Sequence, residues 1–428
     1  MTASHPRIAN ADVADTVQRS RAMCRSSDDQ WIVCQLGARE NYMIARTMTS
    51  AGRLAALITD AWENPESIAA RLSPRLRDRY HPELGTARVE APGYLHLARD
   101  FRRRYLGTGG WRRIMERNSW FEEMAASRLR TLVQADVPCN TVFAYSYAAG
   151  AIFRAARSLG LRTVLGQIDP GPLEDELVAG LYAHAGQSQR YERIPESYWR
   201  RWREEIALSD VIAVNSEWSK RALISVGVMA SKIAVVPLAY DKARNEAGAP
   251  RRLPARFTSG RPLRLLFLGQ VTLRKGIGPL LEAMQRMPDA PLHLDVVGEV
   301  QIDLPASTRA DPRIALHGAV PRSSVSSHYG RADLFLFPTL SDGFGLTQLE
   351  ALAHGLPVLA SNNCGTVIEH DVNGFVLANV TPEAIEHVLR EMLDGPSRLQ
   401  AWNDQARISP AFTMEALGEN LVQLAIVK

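Results

Sequence analysis

The sequence predicts an α/β protein of two doubly wound, Rossmann-like domains facing a central cleft, and three observations carry that expectation. A strand, helix, strand unit runs from Trp31 to Asp60, and a second unit of the same kind starts afresh at Leu263 and runs to Val297. Between the two, residues 242–262 have the proline- and glycine-containing composition of a linker. The 428 residues exceed what one ordinary core organises and suit two or three domains. The predicted division is a first domain over 1–245, a linker over 246–262, a second domain over 263–410, and a terminal helix over 411–428 that crosses back.

In the first domain Trp31-Ile-Val-Cys-Gln-Leu36 reads as a buried strand, Asn41 to Ala51 as a helix, and Leu54 to Asp60 as the next strand. The loop Gly37-Ala-Arg-Glu40 then occupies the switch point of the sheet. Residues 61–130 interleave Arg99, Arg102, Arg103, Arg104, Arg112, Arg113 and Arg117 with Phe101, Tyr105, Trp111 and Trp120. That pattern fits a solvated helix face with buried aromatics. It also fits a patch, centred on 99–117, that rests on an anionic membrane surface, where each arginine contributes roughly 1 kcal/mol. Thr141 to Ser146 is a strand, Ala148 to Leu159 a helix, and Arg162 to Ile168 a strand ending in Asp169-Pro-Gly-Pro. Strand ends of this kind line a ligand crevice, which makes Asp169 a candidate site residue. A helix over 191–207, a strand over 211–216, a helix over 217–226 and an apolar run over 233–241 complete the domain.

The second domain begins with the strand Leu263 to Leu268 and the loop Gly269-Gln-Val-Thr-Leu-Arg-Lys-Gly276. Adjacent cations in a glycine-flanked loop can hold a diphosphate, Arg274 by a bidentate contact and Lys275 as a point charge. Strands follow over 292–297, ending in Gly298-Glu299, and over 313–318. The most informative stretch is 335–360. It reads as a strand to Pro338, a turn in which Gly343 and Gly345 bracket Phe344, a helix from Leu346 to His354, and a strand from Val358. A helix starting near Gly345 aims the free N–H groups of Gly345, Leu346 and Thr347 at one point where the helix dipole is positive, which suits a phosphate. Glu350 lies about a turn and a half further in, within reach of hydroxyls next to that phosphate. Asn362 to Thr366 and Asn373-Gly374-Phe-Val read as turns, and 382–393 and 414–427 as helices.

Asp342 and Glu350, with seven residues between them, together with Lys275 in its glycine loop, resemble the donor site of the GT-B-fold, retaining "group 1" glycosyltransferases of family 4. The resemblance is strong over 263–377 and looser before. Its patterns are Glu-x7-Glu and Gly-Arg-x4-Lys-Gly. Here Asp342 replaces the first acid, Gln270 stands at the arginine position, and Arg274 beside Lys275 supplies the second cation. The resemblance implies a nucleoside-diphosphate-sugar donor with its ribose on Glu350, its sugar on Asp342 and its leaving diphosphate on Lys275 and Arg274. It also implies a donor site framed by Gly37, Gln270, Gly298, Glu299, Gly343, Phe344, Gly345, Leu346 and Thr347. The base would lie near Gly298-Glu299, and Arg39 would supply charge where the family's first loop is richer in glycine. A histidine usual near the end of the 162–168 strand is absent, with Gln167 and Asp169 there instead, and the resemblance makes Asp169 the candidate for an acceptor-side role.

The implied reaction transfers a sugar to the hydroxyl of a glycan, glycolipid or polysaccharide precursor with retention at the anomeric carbon. No cofactor is expected, and no metal, since the chain has no Asp-x-Asp triplet, while His354 and His370 read as helix-end and turn residues. A net charge of +4 is too small to argue for nucleic acid. Cys24, Cys34, Cys139 and Cys364 are scattered like reduced thiols. No stretch approaches the ~18 apolar residues of a membrane span, and the first residues lack a leader pattern, so the expectation is a cytoplasmic protein, peripheral at most to the inner membrane face. Three rival readings share these features: a GT-B epimerase or phosphorylase, a non-catalytic nucleotide-sugar binder, and a membrane-surface scaffold.

Overall fold

Two parallel sheets organise the chain in a computed structural model that describes residues 29–67, 70–71, 74–92, 110–241 and 251–426. The first contains β1 (Trp31–Gln35), β2 (Leu54–Thr59), β3 (Val89–Glu90), β4 (Thr141–Tyr145), β5 (Arg162–Gln167), β6 (Val211–Val214) and β7 (Ile233–Val235), in the order β3-β2-β1-β4-β5-β6-β7. The second contains β8 (Leu263–Leu268), β9 (Leu292–Val297), β10 (Ile314–Gly318), β11 (Leu334–Phe337), β12 (Val358–Ser361) and β13 (Gly374–Leu377), in the order β10-β9-β8-β11-β12-β13. Strands covered on both faces read as unbroken apolar runs. Every residue of β1 and of β11 is buried for that reason. Chain order reverses between β1 and β4 in one sheet and between β8 and β11 in the other, and the crevice at such a switch point receives ligands.

The longer helices are α1 (Met43–Ser50), α2 (Gly110–Gln134), α3 (Gly150–Ser158), α4 (Pro172–His184), α5 (Glu196–Leu208), α6 (Glu217–Ser225), α7 (Ile277–Gln285), α8 (Arg322–Arg331), α9 (Leu346–Ala353), α10 (Pro382–Asp394), α11 (Pro396–Gln405) and α12 (Met414–Ile426). Helix α2 turns Phe121, Ala125, Ala126, Leu129 and Leu132 into the core, while Arg112, Arg113 and Arg117 face outward. Arg99, Arg102, Arg103, Arg104, Phe101 and Tyr105, the linker residues 246–250 and residues 1–28 lie outside the described residues. Leu417 and Leu421 of α12 pack with Met43, Ile44 and Met48 of α1, so the last helix lies on the first sheet's side of the molecule. Arg46 of α1, only 2% exposed, reaches Glu83 at 2.8 Å and Asp241 at 2.7 Å, which ties the chain leaving the first sheet to α1.

Helices α8 and α11 and strand β3 were not among the expected elements, and two further elements differ from the sequence expectation. The segment Asn373-Gly374-Phe-Val is an edge strand from Gly374, not a turn, pairing in parallel with β12. A Cβ at Gly374 would lie 2.0 Å from the Val358 carbonyl oxygen, so glycine there permits a close strand contact rather than a reversal. Helix α4 was not expected. It opens on Pro172, a residue preorganised for a first helical turn, and it sends Val178 and Tyr182 into the core of the second domain.

Candidate active site in the interdomain cleft

The cationic loop after β8 is locked to the loop after β11 by main chain. Gly276 has φ +75°, and a Cβ there would fall 1.7 Å from the Pro338 carbonyl oxygen, so no side chain fits. The Arg274 carbonyl oxygen accepts the Leu340 N–H at 2.8 Å and the Thr339 hydroxyl at 3.2 Å. These contacts aim both cations at the second loop. Lys275 pairs with Asp342 and lies 5.1 Å from the Phe337 ring centre. Arg274 Nη1 donates to the Ser341 carbonyl at 2.7 Å and stands 3.9 Å from Asp342 and 3.5 Å from Glu174. Burial would raise the Asp342 carboxyl, but Lys275 and Arg274 outweigh it and hold the group below the usual carboxylate range.

Asp342 Oδ1 also accepts the Phe344 N–H at 3.1 Å, which closes the glycine turn. Gly345, at φ +85°, is the left-handed residue from which α9 starts. The first N–H groups of a helix have no partner within it, so those of Leu346 and Thr347 are available to an anion beside the Lys275–Asp342 pair. Phe344 is 3% exposed and packs on Phe412, so it serves the site through its backbone alone. Gly298 lies among strand ends, where a Cβ would be 1.8 Å from the Gly269 carbonyl oxygen. Gln270 and Glu299 are exposed at the rim of the same edge.

Glu350 faces a separate compartment, a cavity of about 720 Å³ between the domains. Its walls include Ala38, Glu40 and Asn41 from the first-domain loop, Tyr240 and Asp241 from the crossing segment, and Arg322, Ser326 and Leu346 from the second domain. The Tyr329 hydroxyl donates to Glu350 Oε2 at 3.0 Å, and His354 Nδ1 lies 2.8 Å from the Glu350 carbonyl oxygen. The predicted site residues thus divide. Lys275, Arg274, Asp342 and the Gly343–Gly345 turn gather at one point, and Glu350 with Leu346 opens onto the cavity next to it.

Across the cleft, the end of β5 abuts the glycine turn. A Cβ on Gly343 would be 2.4 Å from the Ile168 carbonyl oxygen and 3.5 Å from the Asp169 Cα. Asp169 Oδ1 accepts from the Tyr147 hydroxyl at 2.5 Å, Gln167 Nε2 at 3.0 Å and the Gly171 N–H at 2.9 Å. Burial raises its carboxyl, with those hydrogen bonds and Arg39 pulling the other way. Tyr147 is itself held by Glu205, which accepts its N–H at 2.6 Å and that of Ala149 at 2.9 Å. Burial pushes the Glu205 carboxyl up to about 8. Gly37 does not border the cavity as a side chain; its N–H is fixed on Asp60 Oδ1 at 2.7 Å.

Sequence reasoning missed Glu174, which stands in the first turn of α4, accepts the Ser341 hydroxyl at 2.6 Å and faces Arg274 from the opposite domain. The Pro-Gly-Pro run before it was the available signal for a helix start. Trp218, which donates to the Ser341 hydroxyl at 3.0 Å, and Tyr329 carried no motif. Among the described residues no group of three or more His, Cys, Asp or Glu is arranged to hold a metal, and no helix is long and apolar enough to cross a membrane.

Comparison with known proteins places the second half of the chain in a family. Residues 254–409 match the family described as glycosyl transferases group 1. The chain is similar to the amylovoran biosynthesis glycosyltransferase AmsK of Erwinia amylovora, at 24% identity over 43% of this chain and 47% of AmsK. It is also similar to a D-inositol 3-phosphate glycosyltransferase of Xylanimonas cellulosilytica, at 29% identity over 48% of this chain and 54% of that protein. The chain thus spans about half the length of the curated relatives it matches. Anabaena HepE, solved in complex with UDP, superposes with a TM-score of 0.58 at 14% identity, covering 93% of this chain and 100% of HepE. The chain has the GT-B fold, and the family match and relatives support a group 1 glycosyltransferase.

Proposed function

We propose that this chain is a retaining, metal-independent glycosyltransferase of family 4 that moves a sugar from a nucleoside diphosphate to an acceptor hydroxyl. The observation that carries the reading is the meeting of Lys275 and Arg274 with Asp342 beside the N-terminus of α9, directly opposite Asp169. A sugar leaving a diphosphate develops negative charge on the phosphate and oxocarbenium character on the sugar. Two cations and a helix N-terminus answer the first need, and the Asp342 carboxylate answers the second. The adjoining cavity suits the nucleoside, with Glu350 taking ribose hydroxyls through the oxygen that Tyr329 leaves open. With retention, the acceptor oxygen bonds to the anomeric carbon on the face from which the C–O bond to phosphate breaks, and its proton passes to the departing phosphate. Asp169 orients that hydroxyl. The names of the relatives support glycosyl transfer as the activity, and the UDP in HepE supports a nucleoside diphosphate as the donor's leaving half.

The test is a thermal-shift screen with UDP, GDP, ADP and their sugars, followed by transfer assays with the nucleotide that stabilises. One nucleoside diphosphate should raise the melting temperature, and turnover should survive chelator. Loss of activity in EDTA with rescue by manganese would overturn metal independence. Stabilisation with no transfer to any acceptor would leave a nucleotide-sugar binder, and sugar or sugar phosphate released without acceptor would indicate an epimerase or phosphorylase.

A further inference from the structure

Each of the two donor-side cations already has a carboxylate within ion-pair distance. Lys275 pairs with Asp342, and Arg274 Nη1 lies 3.5 Å from Glu174 Oε2. Asp342 has a use in the reaction proposed above, beside the transferred sugar. Glu174 has none there, and it comes from a stretch of chain that no donor-side motif covers.

Glu174 sits in the first turn of α4, where the helix's own N–H groups favour a carboxylate. Helix α4 follows β5 in the chain, yet Val178 and Tyr182 are buried in the same core as Leu265 and Phe267 of β8 and Ile277 and Leu280 of α7. Those two elements lie on either side of the cationic loop. Beyond the end of α4, Gln187 Nε2 donates to the Asp303 carbonyl at 3.1 Å, and the Asp303 N–H donates back to Gln187 Oε1 at 2.8 Å. Arg190 Nε donates to Asp303 Oδ2 at 2.7 Å. The Tyr191 hydroxyl returns to Asp175 Oδ1, next to Glu174, at 2.7 Å. The helix is thus fastened to the second domain along its length, and Glu174 accompanies Arg274.

The hydrogen bonds around Ser341, which is fully buried, set the state of Glu174. An indole N–H can only donate, so the Trp218 contact at 3.0 Å uses the Ser341 hydroxyl oxygen as acceptor and leaves that hydroxyl one hydrogen to give. The hydrogen goes to Glu174 Oε2 at 2.6 Å. The same Oε2 faces Arg274 Nη1, which donates at 2.7 Å to the Ser341 carbonyl. An oxygen that accepts from a hydroxyl and faces a guanidinium suits an ionised carboxylate. Burial raises the Glu174 carboxyl, and Arg274 and the Ser341 hydroxyl pull it back, while Asp169 and Asp342 add to the rise.

We propose that Glu174 is a positioning residue that acts through Arg274, sharing its guanidinium so that the nucleoside diphosphate is held weakly enough to leave. The identity of the anion rests on the transferase reading above, while the pairing rests on the contacts around Ser341. A phosphate oxygen and the Glu174 carboxylate compete for the same planar cation. Two unopposed cations would also retain the diphosphate after transfer, and product release sets many turnover rates. Removing the Glu174 charge therefore strengthens diphosphate binding, the opposite of what loss of a merely structural contact does.

The experiment is a calorimetric titration of the full-length chain with UDP, GDP, ADP and inorganic pyrophosphate. It compares the wild type, Glu174→Gln, Glu174→Asp, Arg274→Gln and the double variant Glu174→Gln with Arg274→Gln. Glutamine loses the charge but keeps an acceptor oxygen for the Ser341 hydroxyl, and melting temperatures check that the variants fold. Glu174→Gln should bind the probe that the wild type binds about tenfold more tightly, the size expected of one charge beside a partly buried site. Glu174→Asp, with its charge on a shorter stem, should fall between the two. With Arg274→Gln in place, the tightening should shrink to within about twofold. Unchanged or weaker binding in Glu174→Gln overturns the inference. So does tightening that persists in full without Arg274, since the carboxylate would then act on the diphosphate directly. Should Glu174→Gln fail to fold, Glu174→Asp decides, and binding no tighter than the wild type's overturns the inference. If neither the wild type nor Glu174→Gln binds any of the four probes, the transferase reading falls and this inference with it, whereas binding without tightening sinks this inference alone.

Discussion

In the second domain the loops at the switch point are held by main chain. Gly276 presses on the Pro338 carbonyl, Gly298 on the Gly269 carbonyl, and the Arg274 carbonyl accepts from Leu340. In the first domain the equivalent edge is held by buried side chains from distant segments. Asp169 depends on Tyr147, Tyr147 on Glu205, and Gly37 on Asp60 with Arg79 and Arg117. Even the backbone there is unusual, with Glu40, Asn41 and Tyr42 at φ 48°, 51° and 58°, a left-handed run that no glycine relieves. On the transferase reading proposed above, the difference fits a division of labour. A diphosphate is the same object in every donor, and a rigid backbone cradle suits it. An acceptor varies, and side chains can be exchanged without rebuilding a loop.

The largest expected effect lies on the main-chain side. Lys275→Ala removes the cation that meets Asp342 and leaves that carboxylate buried without its nearest partner. Loss of one preorganised charge-stabilising group costs about 3 kcal/mol in the transition state, so kcat should fall by about 10² or more. A steady-state assay giving near wild-type kcat would break the assignment of the donor half.

A smaller effect tests whether the two halves must touch. Gly276 and Gly343 are both closed to a Cβ, but by different neighbours. At Gly276 the obstacle is Pro338 in the same domain, at 1.7 Å, and at Gly343 it is Ile168 of the other domain, at 2.4 Å. Gly276→Ala must strain its own loop and should lower stability by more than about 1 kcal/mol, read as a lower melting temperature. Gly343→Ala can be relieved by the domains moving apart. Its melting temperature should change less while kcat falls, because Asp169 retreats from Asp342. Equal losses of stability in the two variants would show that the interdomain contact is as rigid as the loop.

The same contrast explains what was legible in the sequence. Glycines pressed against a carbonyl, a cation pair between them and an acid on the following helix are short-range features, so the 335–360 stretch and the 269–276 loop could be read directly. Asp60 with Arg117, or Tyr147 with Glu205, joins residues 57 and 58 positions apart, and no local pattern marks such partners. Glu174 was missed because its helix carries charge and alanine without a clean apolar period, and its partner Ser341 lies in the other domain, 167 positions away. Gly374 was misread because glycine after asparagine signals a turn, while here it admits a neighbouring strand.

The smallest expected effect concerns Glu205, which supports Asp169 only through Tyr147. Its carboxyl is raised from the ordinary glutamate range to about 8 by burial, with the two backbone N–H groups and Arg201 opposing and Glu122 assisting. A raised carboxyl binds its proton more tightly in the folded chain than in the unfolded one. The stability it contributes is full below about pH 4.5 and is lost progressively as pH rises toward 8. Glutamine cannot titrate. It keeps one acceptor oxygen for Tyr147 or Ala149 but sets its amide N–H₂ against the other N–H, at a cost of about 1 kcal/mol. Glu205→Gln should therefore be less stable than the wild type at pH 5, and the gap should narrow as pH rises to 8, because the wild type loses stability there and the variant does not lose that share. Denaturant titrations at the two pH values read the gap directly. A gap that stays constant would mean Glu205 is ionised throughout, with its two backbone donors outweighing burial, and would make the acceptor-side network as firmly charged as the donor-side pair.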